Sequence, residues 1–189
     1  MSRVYHAQQG RVVVVASRAA CTRAPASGIQ FDDLAFDGEW DNLTAYGHSK
    51  LANVLFSLRL AELLRGTRIT SNSLHPGVIN TDIDRNLGGA TRFGFGILTA
   101  FSGKNVEEGA ATTCYVATSP DLGAVSGKYF EDCNAITVHG ENHLYNMEMA
   151  EKLMTVSAEL TSDYLVEAAV EPPGNPVSYT HLTLPTSPK

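Results

Sequence analysis

The chain has few cysteines and no long apolar run. Its three cysteines, Cys21, Cys114 and Cys133, are far apart, odd in number and without a C-x-x-C pair. This pattern argues against a disulfide scaffold or a zinc knuckle and favours a reducing compartment, so we expect a cytoplasmic protein. The longest apolar runs, at residues 12–16 and 94–101, are too short to span a bilayer. The polar start of the sequence also lacks a signal-peptide pattern, so we expect neither secretion nor a membrane segment.

Positive charge is also scarce. Lysine and arginine number 14 against 20 aspartates and glutamates, which gives a formal net charge of −6 over 189 residues. This balance argues against a nucleic-acid-binding surface. The length predicts about one domain. We assign residues 1–9 to a leader of unassigned role and residues 10–170 to the domain. Residues 171–189 are proline-rich at first and then look like translated cloning adaptor, so we expect a disordered tail.

The order of elements predicts a parallel sheet. Residues 11–17 contain a run of valines that is apolar on both faces, as in a central strand of such a sheet. Residues 44–65 predict a long helix capped by Thr44, and residues 68–74 predict a second strand, which completes a right-handed βαβ unit. Ligands bind beyond the carboxyl ends of strands in open α/β sheets. Ser17 and the Pro-Gly turn after the second strand therefore lie where functional groups are expected.

Local signals predict the remaining elements. Asn105 and Glu108 have the spacing of a capping box, which predicts a helix that ends near residue 118. Residues 126–132 predict a last strand, and residues 144–169 predict a final amphipathic helix. Residues 79–103 are rich in glycine and phenylalanine, and they form either a hinged flap over a site or a segment packed on the body.

Tyr46 and Lys50 stand four residues apart at the head of the long helix, so they lie on one face, one turn apart. A free phenol has a pKa of about 10 and is a poor base at neutral pH. A fixed ammonium favours the phenolate form. Lowering the pKa of a phenol to about 7 takes about 4 kcal/mol of differential stabilisation of the phenolate. A lysine in a dry site and a cationic cofactor would supply it together. The pair therefore favours proton transfer to or from an alcohol oxygen.

A strand that ends in Ser17, a Tyr-x-x-x-Lys helix and a strand that ends in Pro-Gly together resemble the short-chain dehydrogenase/reductase family. The chain is most similar to its retinol-dehydrogenase-like branch, which includes the WW-domain-containing oxidoreductase. The similarity spans about residues 10–160. The segments that carry it are residues 11–17, 31–34, 45–56, 74–78, 108–112 and 126–130. The resemblance implies a doubly wound, Rossmann-like parallel sheet of which this chain is the carboxyl half, without the N-terminal nucleotide-binding half.

The resemblance also implies a role for each matching residue. Ser17 would hydrogen-bond the substrate oxygen, Tyr46 would be the general acid/base, and Lys50 would favour the phenolate and hold the nicotinamide ribose. The residues implied to contact the cofactor are Tyr46, Lys50, Pro76, Gly77, Val78, Ile79 and Thr81. The implied reaction is reversible hydride transfer between an alcohol or carbonyl and NAD or NADP, with NADP favoured by this branch.

The family pattern is incomplete in one respect. No stretch of the chain matches the glycine-rich turn that holds the cofactor pyrophosphate at a helix N-terminus. We therefore expect the isolated chain to bind NAD(P) weakly or not at all. The apolar residues of the 79–103 segment favour a lipophilic, retinol-like substrate, and the resemblance implies a homodimer for the complete enzyme.

Other functions fit the sequence less well. The Gly-His-Ser triplet at residues 47–49 has the start of a hydrolase nucleophile elbow, but Leu51 stands where that motif needs glycine. His139 and His143 lie in a polar stretch, and we expect no metal site there. The stronger alternative is a non-catalytic fragment or isoform that acts only through its dimerisation surfaces.

Overall fold

A computed structural model describes residues 8–38, 40–77, 104–137 and 142–164. Its strands form one sheet in the order β1-β2-β3-β4. They are β1 (Gly10–Val15), β2 (Ile69–His75), β3 (Tyr129–Glu131) and β4 (Asn134–Ala135). The first three are parallel to one another, and β4 runs antiparallel to β3. The parallel α/β architecture is confirmed, while the short β4 was not predicted.

The three longer helices also follow the predicted order, whereas the short first helix was not predicted. The helices are α1 (Ala19–Thr22), α2 (Asn42–Leu63), α3 (Val106–Thr118) and α4 (Met147–Leu160). α2 connects the parallel strands β1 and β2, in which Gly10 lies opposite Ile69 and Val15 lies opposite Leu74. The predicted βαβ unit is therefore present. The final helix begins at Met147, three residues later than predicted.

The two long helices next to the sheet begin at side-chain caps. Asp41, and not Thr44, caps α2, because its side chain accepts the amide protons of Leu43 at 2.9 Å and Thr44 at 3.0 Å. The prediction of a Thr44 cap is wrong because Asp41 adopts the extended backbone conformation that a cap requires. The capping box of α3 is confirmed. The Glu108 amide donates to Asn105 at 2.8 Å, and the Asn105 amide donates to Glu108 at 2.9 Å.

Helices cover both faces of the sheet, and β2 is buried along its whole length. On the α2 face, the buried residues are Leu51, Val54, Leu55 and Tyr129 with smaller neighbours. On the α3 face they are Leu74, Val116, Leu122 and Phe130. A polar contact also ties α2 to the sheet, since the hydroxyls of Ser57 and Ser71 lie 2.9 Å apart in the interior. This two-layered cover is the arrangement expected of a Rossmann-like sheet.

The valine run of β1 predicted a central strand of the family's sheet, with one edge left unpaired in this chain. Within the described part of the chain β1 pairs only with β2, and its valines are half-buried apart from the exposed Val15. The valine run indicated apolar contact on both faces of a strand. It carried no information about how many strands would hydrogen-bond at its edges.

Several predicted features lie outside the described residues. These are most of the leader (residues 1–7), the glycine-rich segment from residue 78 to residue 103, and the tail from residue 165 onward. Among the helices that are described, none combines the length and the apolar character needed to cross a bilayer.

Candidate functional site

Ser17 lies just beyond the carboxyl end of β1. The amide of the preceding Ala16 still donates to Leu74 of β2 at 2.8 Å, so the chain leaves the sheet at Ser17 itself. The Ser17 hydroxyl oxygen accepts the amide proton of Ala19 at 3.2 Å, and its carbonyl accepts that of Ala20 at 3.0 Å. These contacts start α1. They use the hydroxyl as an acceptor and leave its proton available for donation.

Tyr46 and Lys50 lie in the first half of α2 on one face of the helix. The Lys50 ammonium is 5.3 Å from the centroid of the Tyr46 ring. The Tyr46 side chain is 41% exposed, and its hydroxyl makes no hydrogen bond to the other described residues. An accessible phenol with a cation over its ring is suited to contact a ligand. Ser49, in the body of α2, donates to the Tyr46 carbonyl and does not lie on a strand-to-helix turn.

Two contacts join α2 to the end of β1 and to the segment that follows α1. Asn53, which follows Lys50 by three residues on α2, donates its side-chain amide to the Val15 carbonyl at 3.3 Å. Six residues before Asn53, Gly47 lies directly against the backbone of Arg23 and Ala24, just after α1. The start of α2 and the segment that follows Ser17 are therefore packed together at the carboxyl edge of the sheet. Asn53 was missed in the sequence analysis, although its spacing from Lys50 is a usable signal.

The opposite side of α2 is fixed by a polar and aromatic cluster. His48 is buried, and its Nε2 accepts the amide proton of Gln30 at 2.9 Å. The rings of Phe36 and Trp40 contact the imidazole edge-to-face, with centroids 5.3 and 5.6 Å away. Burial lowers the pKa of His48, which keeps Nε2 unprotonated and able to accept. This cluster holds the helix and leaves the Tyr46 face free.

Pro76 and Gly77 follow β2 at the same edge. Gly77 has φ +101, a backbone conformation that favours glycine at this turn. Three of the residues implied to contact the cofactor, Val78, Ile79 and Thr81, lie outside the described part of the chain.

Charged side chains surround the carboxyl ends of β2 and β3. His75 is 8% exposed, and its Nδ1 is buried without a hydrogen-bond partner among the described residues. Burial lowers the pKa of His75, which favours the neutral ring. Glu131, opposite His75 in the register of β3, pairs with Arg18. No local motif in the sequence marks Arg18 or Glu131, and neither residue was predicted to lie at the site.

The remaining candidates lie away from this edge. A cavity of about 600 Å³ opens at the amino ends of β2 and β3, where its lining includes Arg68, Lys128 and Tyr145 but none of the candidate site residues. His143 contacts the Ala26 carbonyl through Nε2 at 2.8 Å. Within the described ranges, no group of three or more His, Cys, Asp or Glu side chains is placed to hold a metal ion.

Comparison with known proteins gives clear relatives. The chain is 43% identical over 157 residues to short-chain dehydrogenase TIC 32 B of Brassica napus. This match covers 80% of the chain and 47% of that protein. It is 39% identical over 132 residues to retinol dehydrogenase 12 of Mus musculus, which covers 70% of the chain and 40% of that protein. The chain thus spans about half the length of the curated relatives it matches.

The solved structures support the fold alone. An uncharacterised protein from Mycobacterium paratuberculosis matches with a TM-score of 0.53 and 24% identity, over 82% of this chain and 51% of that structure. None of the protein-family models matches the chain.

Proposed function

Since the chain belongs to the short-chain dehydrogenase/reductase family, in its retinol-dehydrogenase-like branch, we propose that it carries the serine, tyrosine and lysine of an alcohol–carbonyl oxidoreductase. The observation that supports this proposal most directly is the Tyr46–Lys50 pair, with its ammonium 5.3 Å from the ring, on a helix packed against the segment after Ser17. The proposed substrate is a lipophilic alcohol or carbonyl, because one relative is named a retinol dehydrogenase.

The donor set suits a nicotinamide cofactor, NAD or NADP, with NADP favoured by the family branch. The ammonium of Lys50 and the hydroxyl of Tyr46 are the kinds of donor that hold ribose hydroxyls, and both lie at the carboxyl edge of a parallel sheet. When bound, such a cofactor accepts or donates the hydride. Because no glycine-rich turn is present in the sequence, we propose that the isolated chain binds the cofactor weakly.

The chain's own residues handle the proton. In alcohol oxidation the Tyr46 phenolate takes the hydroxyl proton of the substrate as its carbon loses hydride, and in carbonyl reduction the Tyr46 hydroxyl returns that proton. Lys50 stabilises the phenolate by its charge. Ser17 donates its hydroxyl proton to the substrate oxygen, since its own oxygen already accepts from the Ala19 amide.

The test is an alcohol-oxidation assay with NAD and with NADP, run at high cofactor concentration because binding is expected to be weak. Tyr46→Phe should lower kcat/KM by about 10²- to 10⁴-fold, the usual contribution of a general acid/base. Tyr164→Phe is the matched control, because Tyr164 is also exposed and lies beyond α4. Equal turnover in wild type and Tyr46→Phe would contradict the proposal.

A non-catalytic role is the second candidate, and a specific observation favours it. Phe56 and Leu63 on α2 are large, apolar and exposed. We propose that a second copy of the chain covers this stripe. Absence of turnover with either cofactor, together with dimerisation through this stripe, would support a fragment that acts by association alone. A cytoplasmic location, suggested by the few cysteines, stays a prediction, and one relative is named as chloroplastic.

A further inference from the structure

Arg18 and Glu131 form an ion pair across the carboxyl end of β2. Arg18 follows the end of β1, and Glu131 ends β3, so the pair joins the two strands that flank β2. The Glu131 Oε2 atom accepts from Arg18 Nε at 2.9 Å and from Nη2 at 2.5 Å. Two hydrogen bonds from one guanidinium fix its orientation, as a single contact would not.

Glu131 is itself held in place from the interior. Its other carboxylate oxygen, Oε1, accepts the hydroxyl proton of Tyr129 at 3.0 Å, and Tyr129 is fully buried in the core on the α2 face. The Glu131 side chain is only 12% exposed, whereas that of Arg18 is 57% exposed. A carboxylate engaged through both oxygens cannot rotate freely, so it offers Arg18 a rigid anchor.

We infer that Glu131 is a positioning residue for Ser17, acting through Arg18. Arg18 stands between Ser17 and the first residue of α1, where Ser17 already accepts the amide protons of Ala19 and Ala20. Fixing the Arg18 side chain to β3 therefore fixes the short turn that carries the Ser17 hydroxyl. The catalytic importance of the Ser17 hydroxyl rests on the proposed function, but the ion pair between Arg18 and Glu131 does not.

The same edge of the sheet contains a matched control. Lys104 and Asp132 form a second ion pair next to Glu131, and neither residue contacts the turn at Ser17 among the described contacts. Removing one charge from this second pair changes the local charge near Glu131. It leaves the connection between β3 and the Ser17 turn intact.

Cys21 reports the position of α1 without any need for turnover. It lies three residues after Arg18, it is half-buried, and burial is the main reason that its pKa rises to about 11. The nearby charges act on this thiol in opposite directions, since Glu131 raises its pKa and Arg18 lowers it. Both effects bear on alkylation, because the thiolate is the reactive form.

The experiment measures alkylation of native protein by iodoacetamide, resolved by peptide, with the exposed Cys114 as internal standard. Arg18→Met is the decisive variant, because charge alone predicts slower alkylation of Cys21, whereas release of α1 predicts faster alkylation. We expect an increase of about two- to fivefold, as for loss of a partly exposed ion pair that holds a small element. Glu131→Gln should give a similar increase, and the double variant should be no faster than either single variant.

Asp132→Asn should leave the Cys21 rate unchanged relative to Cys114. A Cys21 rate that is equal or lower in Arg18→Met would overturn the inference. Because Arg18 is largely exposed, this variant is expected to fold even if Glu131→Gln does not. The outcome is also independent of the Tyr46→Phe assay. If the chain shows no turnover but Arg18→Met still speeds alkylation of Cys21, the proposed function is contradicted and the positioning role is supported.

Discussion

Substitution of Gly47 by alanine should destabilise the protein, although alanine is the better helix former. Gly47 lies inside α2 between Tyr46 and His48, where the helix touches the chain after α1. An added Cβ would lie 2.5 Å from the Ala24 nitrogen and 2.5 Å from the Arg23 carbonyl carbon. Both are backbone atoms, so no side-chain rotation relieves the contact. Either α2 or the segment after α1 must move.

The magnitude follows from two opposing effects. Glycine in a helix interior costs about 1 kcal/mol relative to alanine, so the substitution gains that amount in the isolated helix. Insertion of a methyl group into a closely packed site costs about 1–3 kcal/mol. The backbone contact at Gly47 puts the cost at the upper end, which leaves a net loss of about 2 kcal/mol. For a chain of this size that corresponds to a Tm lower by roughly 4–8 °C.

Urea unfolding followed by the fluorescence of Trp40 measures this loss. Trp40 is the single tryptophan of the chain, and it packs on His48, one residue after Gly47. Ser49→Ala is the control, because Ser49 is exposed on the same helix and should gain up to about 0.5 kcal/mol without a clash. If Gly47→Ala proves as stable as Ser49→Ala, the close approach of the two backbones is not a constraint and the reasoning fails.

Two further predictions concern pH and association. The pKa of buried His48 is lowered, so the unfolded chain binds a proton more readily, and stability should fall as pH drops from about 6.5 through the folded pKa. Urea midpoints measured at about pH 7.5 and about pH 5.5 should show a smaller loss of stability for His48→Gln than for wild type. His75 should account for the loss that remains in the variant. An equal loss of stability in the two proteins would refute this prediction. Phe56→Lys should shift a dimer towards monomer in sedimentation velocity, whereas Leu160→Lys, on the exposed end of α4, should not.

Features encoded within a few residues could be predicted from the sequence. The strand at β2, the βαβ order and the capping box of α3 each depend on neighbouring residues, and the structure has all three. The cap of α2 shows where such reasoning ends. Asp41 and Thr44 are both good capping residues, and only the backbone conformation at Asp41 decides between them.

Contacts between distant segments could not be predicted in this way. Arg18 and Glu131 are separated by 113 positions, and no periodicity or motif relates them. The need for glycine at position 47 is equally invisible, because it arises from the path of residues 23–24 over the helix. The first contact acts on the turn after Ser17, and the second acts on the segment after α1. Sequence motifs therefore mark the residues of the proposed chemistry, whereas no motif marks the residues that we infer to position them.

In the first turns of α2, adjacent residues serve either the proposed chemistry or the packing that positions the helix. Tyr46 and Lys50 lie on a face with an accessible phenol, while Gly47 and His48 are buried against the segment after α1 and the aromatic cluster. Substitutions within one stretch of five residues should therefore separate into two classes. Those on the accessible face should reduce activity with little change in unfolding free energy, because few packed atoms are lost there. Those on the buried face should reduce stability first, and activity only through displacement of the helix that carries Tyr46.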